Sequence, residues 1–350
     1  MNQRDPRISR RDVVRGLSIL AAGPWLLSCA ATTPSDGAPG SNAAPDQEAA
    51  FPVTLTHKYG TTTVTAAPKR IVVVGLVEQD ALLALGIVPV ATSQWYEAPG
   101  GVFPWATEAL GGAPLPTVLD NSSDGVPVEK VAALEPDLII AVYSGITKKE
   151  YDLLSKLAPV AAQPGDYVDY GVPWDEATLT VAAAVGKPAA GQALVDRVRD
   201  KIAKAGEEFS GGTGAIVSPY EGVYVFGPED PRGRLLQQLG FDFPSALLEG
   251  RPKNAYGWSL SAERAVDLDD LDVVIWLDTE QQVDSSLGKV WTSTKANVEG
   301  RDIYITPQGD EIYDAAFNMV TPLSLPYVLD RYVPQLRAAA DGDPATKVPA

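Results

Sequence analysis

Residues 70–92 read RIVVVGLVEQDALLALGIVPVAT. Ile71 to Val74 is a continuous β-branched run, the pattern of a strand buried on both faces. VEQDALLALG follows with helical spacing and ends on Gly86, a helix stop. VPVAT then resumes a strand pattern. Strand, helix and strand in this order predict a parallel sheet covered by helices. The same grammar continues outward, through VEKVAALEPD, LIIAVYSG, TKKEYDLLSKLAP and VAAQ, then the helical WDEATLTVAAAVG. KPAAGQALVDRVRDKIAKAGEEF is the longest helix in the pattern, with Pro188 near its start and apolar positions at Leu194, Val195, Val198 and Ile202. After it the alternation restarts with GAIVSP, GVYVFG, PRGRLLQQLGF, SAERAVDL, DVVIWLD and RDIYITP, and PLSLPYVLDRYVPQLRAAA closes the chain as a helix.

The two halves also match each other. VEKVAALEPDLIIAVY, from Val128, and AERAVDLDDLDVVIWL, from Ala262, each open with a Glu, follow it with a basic residue, and reach an apolar strand through an Asp. Glu129 and Glu263 fall in equivalent places. A weaker match joins VVVGLVEQDALLALGI to VYVFGPEDPRGRLLQQLGF. Together they suggest a duplicated unit: two α/β lobes with mainly parallel sheets, joined by a single long helix. The expected divisions are 51–187 for the first lobe, 188–208 for the connecting helix and 209–350 for the second lobe.

Upstream, MNQRDPRISRRDVVRGLSILAAGPWLLS has a basic start, an apolar run from Leu17 to Leu27 and a small residue before Cys29. This is the layout of an export signal over 1–28, and the run is too short to span a bilayer. Arg10 and Arg11 resemble the twin-arginine signal. Leu26-Leu27-Ser28-Cys29 resembles the bacterial lipobox, which makes Cys29 the expected lipidation site. Residues 29–50, rich in Ala, Pro, Gly, Ser and Asp, read as a flexible tether.

Composition narrows the function. The net charge is -17, and removal of the segment before Cys29, with its five Arg and two Asp, leaves about -20. A surface this acidic argues against nucleic acid and against docking on anionic lipid by charge. Cys29 is the only cysteine and His57 the only histidine. A Cys-based or His-cluster metal site cannot be built, so no metal site is expected, and a Ser-His-Asp triad would need His57. His57 lies in VTLTHKYGTTTVT, which alternates like a hairpin with its turn near Tyr59-Gly60, and an exposed polar strand position is expected for it. Carboxylate-pair hydrolysis remains open as a reading from another class, as does a structural lipoprotein without a ligand.

APKRIVVVGLVEQDALLALGIVPVA, VEKVAALEPDLII, YVDYGVPWDEATLTVAAAVGK, DPRGRLLQQLGF and LSAERAVDLDDLDVVIW resemble the substrate-binding lipoproteins of bacterial iron–siderophore ABC importers, a family that includes cobalamin- and haem-binding proteins. The resemblance covers about Phe51 to Asp343. It implies ligand capture in a cleft between two lobes, no enzymatic reaction, no cofactor, a monomer held at the outer face of the cytoplasmic membrane by its N-terminal lipid, and an ABC permease as partner. It also implies that Glu129 and Glu263 meet arginines on that permease. The ligand it implies is a ferric siderophore, with haem on the same fold as the alternative.

In open α/β sheets ligands sit beyond the carboxyl ends of strands. The candidates at or after the strand runs are Trp95, Tyr96, Tyr143, Tyr167 and Tyr170 in the first half and Arg232, Arg234 and Tyr313 in the second, with Trp258 ahead of the Glu263 helix. Aromatic rings suit the faces of a bulky iron complex, and arginines suit its oxygen atoms. Such a complex arrives with its iron already wrapped in oxygen donors, so it asks for no protein metal ligand. The two arginines also have Glu229 and Asp230 as local partners.

Overall fold

The computed structural model describes residues 51–120, 125–165, 167–253 and 255–349. The expected export signal, Cys29 and the tether lie outside the described residues.

An antiparallel hairpin, β1 (Val53–His57) and β2 (Gly60–Val64), precedes the first sheet, with His57 opposite Gly60. The expected exposure of His57 is overturned: the side chain is 5% exposed. The strand's period of two places His57 on the inward face with Leu55. There its Nε2 pairs with Thr62 Oγ1 at 2.9 Å, its Nδ1 accepts from the Tyr59 N–H at 3.2 Å, and its ring packs on Tyr151. Burial lowers its pKa.

The first lobe is built on β3 (Ile71–Val73), β4 (Ala91–Ser93), β5 (Thr117–Leu119), β6 (Leu138–Ala141) and β7 (Val160–Ala162). All are parallel, in the order β5-β4-β3-β6-β7. The helices of this lobe are α1 (Glu78–Ala84), α2 (Val128–Ala133), α3 (Lys148–Leu154) and α4 (Trp174–Ala184). The run that opens the sequence analysis is apolar throughout because both faces are covered. Ile71 and Val73 pack with Leu82, Ile140 and Val181 on one side, and Val72 and Val74 with Ile139, Val131 and Leu154 on the other. The chain moves from β3 out to β5, then returns across β3 to β6. This leaves a topological switch point between β3 and β6, where such sheets open a crevice at their carboxyl ends.

Helix α5 (Pro188–Gly206) follows, burying Leu194, Val195, Val198 and Ile202 at helical spacing and starting on Pro188. The second sheet holds β8 (Gly212–Ser218), β9 (Val223–Phe226), β10 (Phe241–Asp242), β11 (Gly257–Leu260), β12 (Val273–Trp276) and β13 (Asp302–Tyr304). Its order is β11-β9-β8-β12-β13, with β10 beside β8. Its helices are α6 (Pro231–Gln238), α7 (Glu280–Leu287), α8 (Lys289–Thr292), α9 (Lys295–Val298), α10 (Pro307–Met319) and α11 (Ser324–Ala340).

This sheet is mixed. Strands β8, β12 and β13 are parallel, whereas β9 runs antiparallel to β8 and β11. The link from β8 to β9 is only residues 219–222, too short for a crossover, so it closes as a hairpin. The first internal match has a structural counterpart. Strand β6 lies between parallel β3 and β7, β12 lies between parallel β8 and β13, and each is preceded by a short helical turn, α2 or Ala262–Leu268. The second match holds locally, since β3 leads into α1 and β9 into α6, but not in sheet direction: β3 is parallel to its neighbours and β9 antiparallel to its own.

Candidate functional site

The crevice floor starts at α1. Its entry has no side-chain cap from the preceding residue; Glu78 turns back instead. One Glu78 oxygen accepts the N–H groups of Val142 and Tyr143, both at 2.7 Å, and the other accepts the Val77 N–H at 3.1 Å. A side chain on Gly75 would place its Cβ 2.0 Å from Glu78 Oε1, so the VGLVE stretch requires glycine there. Burial pushes the Glu78 pKa up against these backbone donors. The buried carboxylate ties the turn after β3 to the turn after β6 and so fixes the backbone of Tyr143.

Around Tyr143 the first lobe gathers aromatic rings. Trp95 lies 5.5 Å from Tyr96 and 6.5 Å from Tyr143, and Tyr143 lies 5.5 Å from Tyr170. Tyr170 has a left-handed backbone, φ +61°, and its hydroxyl donates to the Ser144 carbonyl at 3.0 Å. Trp95 and Tyr170 keep more than a third of their surface exposed, while Tyr143 is buried. At the carboxyl ends of β3, β4 and β6 lies a cavity of about 350 Å³, lined by Val74, Gln94, Ser144, Gly145 and Tyr170.

The second lobe answers with Asp230-Pro231-Arg232. Asp230 caps α6, accepting the N–H groups of Arg232 and Gly233, with Pro231 at the first helical position. The same carboxylate takes the Arg232 guanidinium as a fork, Nε to Oδ1 at 2.9 Å and Nη2 to Oδ2 at 2.7 Å. Arg232 Nη1 donates to Asn318 of α10 at 2.5 Å, and the guanidinium lies 4.1 Å over Phe226. Burial alone would push the Asp230 carboxyl up; Arg232 outweighs it and holds the pKa below the usual value. Tyr143 reaches this group from the first lobe, beside Tyr256 and Asp230, and burial first, then Asp230, raises its pKa. Tyr256 is raised by the same two causes in the same order. Across the seam, the Tyr96 hydroxyl donates to Asp314 of α10 at 3.1 Å.

Trp95, Tyr96, Tyr143, Tyr170 and Arg232 thus come together. Arg234 and Tyr167 form a neighbouring pair. Arg234 Nη1 donates to the Gly171 carbonyl of the first lobe, and its guanidinium lies 5.7 Å over Tyr167. The Tyr167 pKa is pushed up to about 12, by burial and then by Glu176. Arg234 makes no ion pair among the described residues, and Glu229 pairs with Arg251 instead.

Two expected ligand contacts lie elsewhere. Trp258 belongs to β11, alternates inward with Leu260, is 5% exposed, and donates to the Leu247 carbonyl in the second lobe's core. Tyr313 lies within α10, 2% exposed, with its hydroxyl on Gln335 at 2.7 Å. The sequence pattern gives neither segment an element, and in the fold they are an edge strand and a helix. Glu129 and Glu263 are exposed in the first turns of their short helices. Among the described residues no group of three or more His, Cys, Asp or Glu is placed to hold a metal ion. Sequence reading overlooked Glu78, Tyr256, Asp314 and Asn318. Only Glu78 left a signal, as a carboxylate inside an otherwise apolar βα turn.

The family model described as periplasmic binding protein matches residues 79–308. A putative ABC transporter substrate-binding lipoprotein of Bacillus subtilis is 31% identical over 194 residues, which cover 55% of this chain and 58% of that protein. The chain therefore spans under two thirds of that relative's length. A periplasmic solute binding protein from Mycobacterium smegmatis superposes with a TM-score of 0.70 at 33% identity, covering 83% of this chain and 99% of that one. The iron uptake protein PiaA of Streptococcus pneumoniae in complex with ferrichrome gives 0.72 at 28% identity, again covering 83% and 99%.

Proposed function

The chain belongs to the periplasmic binding protein family, and on that premise we propose that it captures a ferric siderophore between its lobes and delivers it to an ABC importer. The observation that carries this reading is the cross-lobe cluster: Trp95, Tyr96, Tyr143 and Tyr170 on one side, Arg232 and Tyr256 on the other. Arg232 has its charge matched by Asp230, so it offers oriented N–H donors more than net charge. Arg234, with only a carbonyl partner, supplies the unmatched positive charge for an anionic ligand. The rings supply flat apolar faces.

A haem reading with a tyrosinate axial ligand is less well supported. The Tyr96 hydroxyl is spent on Asp314, and burial keeps Tyr96, Tyr143 and Tyr256 protonated well past neutral pH. A two-carboxylate hydrolase is supported less again, since Asp230 is neutralised by Arg232. In this reading the protein runs no reaction and acts as a monomer. Arg10-Arg11 and Cys29 support export by the twin-arginine route and lipid anchoring at the outer face of the cytoplasmic membrane, and Glu129 and Glu263 serve as permease contacts. Tryptophan-fluorescence titration with a panel of ferric siderophores, run beside haem with a visible spectrum, tests the ligand class. Saturable quenching by at least one ferric siderophore is expected; a shifted haem spectrum with no siderophore response would reverse the assignment.

A further inference from the structure

A second cavity, of about 420 Å³, shares Tyr96 with the aromatic cluster. Phe103 and Leu115 of the first lobe and Ile312 of α10 line it, and its charged lining residues, Glu97 and Glu311, are both acidic. Leu115 and Ile312 stand 52% and 40% exposed, so both present apolar surface at the groove. The groove is held open by its own frame. Thr92 Oγ1 donates to the Gly100 carbonyl at 3.0 Å, and Gln79 Nε2 to the Gly101 carbonyl at 3.3 Å, which pins the 98–104 loop to the sheet and to α1. Gly100 has φ +67°, and a side chain there would strike Leu115 Cβ at 2.9 Å.

We infer that this groove takes an uncharged alkyl appendage of the captured ligand, so that an acylated ferric siderophore is preferred over its short-chain counterpart. This rests on the siderophore reading above. The groove has the volume of a small-molecule subsite, enough for part of a ligand, and Tyr96, which lines it, also belongs to the cluster that receives the iron complex. Its acidic residues disfavour an anionic group, and its apolar wall favours a hydrocarbon. Because the wall comes from both lobes, a chain lying there is covered only when the lobes are together.

Ferrioxamine B capped at its free amine with acetyl or octanoyl gives a matched pair of probes. Each methylene buried is worth about fourfold in affinity, so the octanoyl form should bind wild type at least about tenfold tighter than the acetyl form. Leu115→Glu and Ile312→Glu alter exposed side chains on separate lobes, and melting curves check that both variants stay folded. Each should reduce the octanoyl advantage to about twofold or less while leaving acetyl-form affinity unchanged. Equal affinity of the two forms for wild type, or an octanoyl advantage that survives both substitutions, overturns the inference. So does loss of uptake in the variants with the octanoyl advantage intact, which would assign the groove to the permease. If the acetyl form binds and the chain adds nothing, the groove assignment falls alone. If no ferric siderophore binds at all, the siderophore reading falls with it.

Discussion

Asp230 performs three tasks with one carboxylate: it caps α6, it forks the Arg232 guanidinium, and it stands beside Tyr256. It is fully buried and Arg232 is 8% exposed. Removing one member of such a pair strands the other, which costs about 3–5 kcal/mol, whereas replacing both with matched uncharged groups is often near neutral. Arg232→Ala should therefore lower unfolding free energy by roughly that amount in denaturant melts, and Asp230→Asn with Arg232→Met should recover most of it. A single variant as stable as wild type would contradict the buried pair. The Asp-Pro-Arg motif was legible in sequence, but its pairing was not. DPRG allowed Arg232 and Arg234 equal claims on Asp230 and Glu229. The helix start settles it, because capping turns the Asp230 carboxylate toward Arg232 and leaves Arg234 one turn-face away, on Gly171.

At the scale of elements, α1, the 98–107 segment and the 320–323 link between α10 and α11 meet at Asp80. It is fully buried, accepts from Trp105 Nε1 at 2.9 Å and from Thr321 Oγ1 at 2.5 Å, and its other oxygen has no partner. Burial pushes its pKa up to about 6. A carboxyl raised in the native state contributes stability that is full below the unfolded value near pH 4 and lost as pH rises through about 6. Asp80→Asn keeps an acceptor for both donors and removes the titration. The stability of wild type relative to this variant should fall by up to about 3 kcal/mol between pH 4 and pH 7. A difference that does not change across that window would show that Asp80 does not titrate as a buried acid. Strands buried on both faces, β3, β6 and β12, were legible as apolar runs. Strand β11 and helix α10 were not, and this is why Trp258 and Tyr313 were open to a reading as ligand contacts. Strand β11 has only Trp258 and Leu260 facing inward. Helix α10 begins with a break at Asp310 that hides its period.

Among the described residues each half has one large sheet, α5 lies between the two in the chain, and each half carries an exposed glutamate on a short helical turn. Neither Glu129 nor Glu263 belongs to the aromatic cluster. If they dock the permease, the double change to Ala should leave siderophore affinity unchanged while uptake falls sharply, since exposed charges of this kind steer and orient association. Normal uptake by the double variant, in cells lacking other binding proteins, would return both to ordinary helix-start residues. The two-lobe plan was legible because each half repeats a helix, an Asp and an apolar strand. The mixed second sheet was not, because a strand's direction is set by its connection. The account's central claim is that a ferric siderophore is held by the cross-lobe cluster. Isothermal titration of wild type against the Asp230→Asn, Arg232→Met double variant tests this most directly, because that variant is expected to stay folded. The account predicts one ferric siderophore bound per wild-type molecule, and an affinity loss in the variant worth about 2–5 kcal/mol. Equal affinity in both proteins would contradict it.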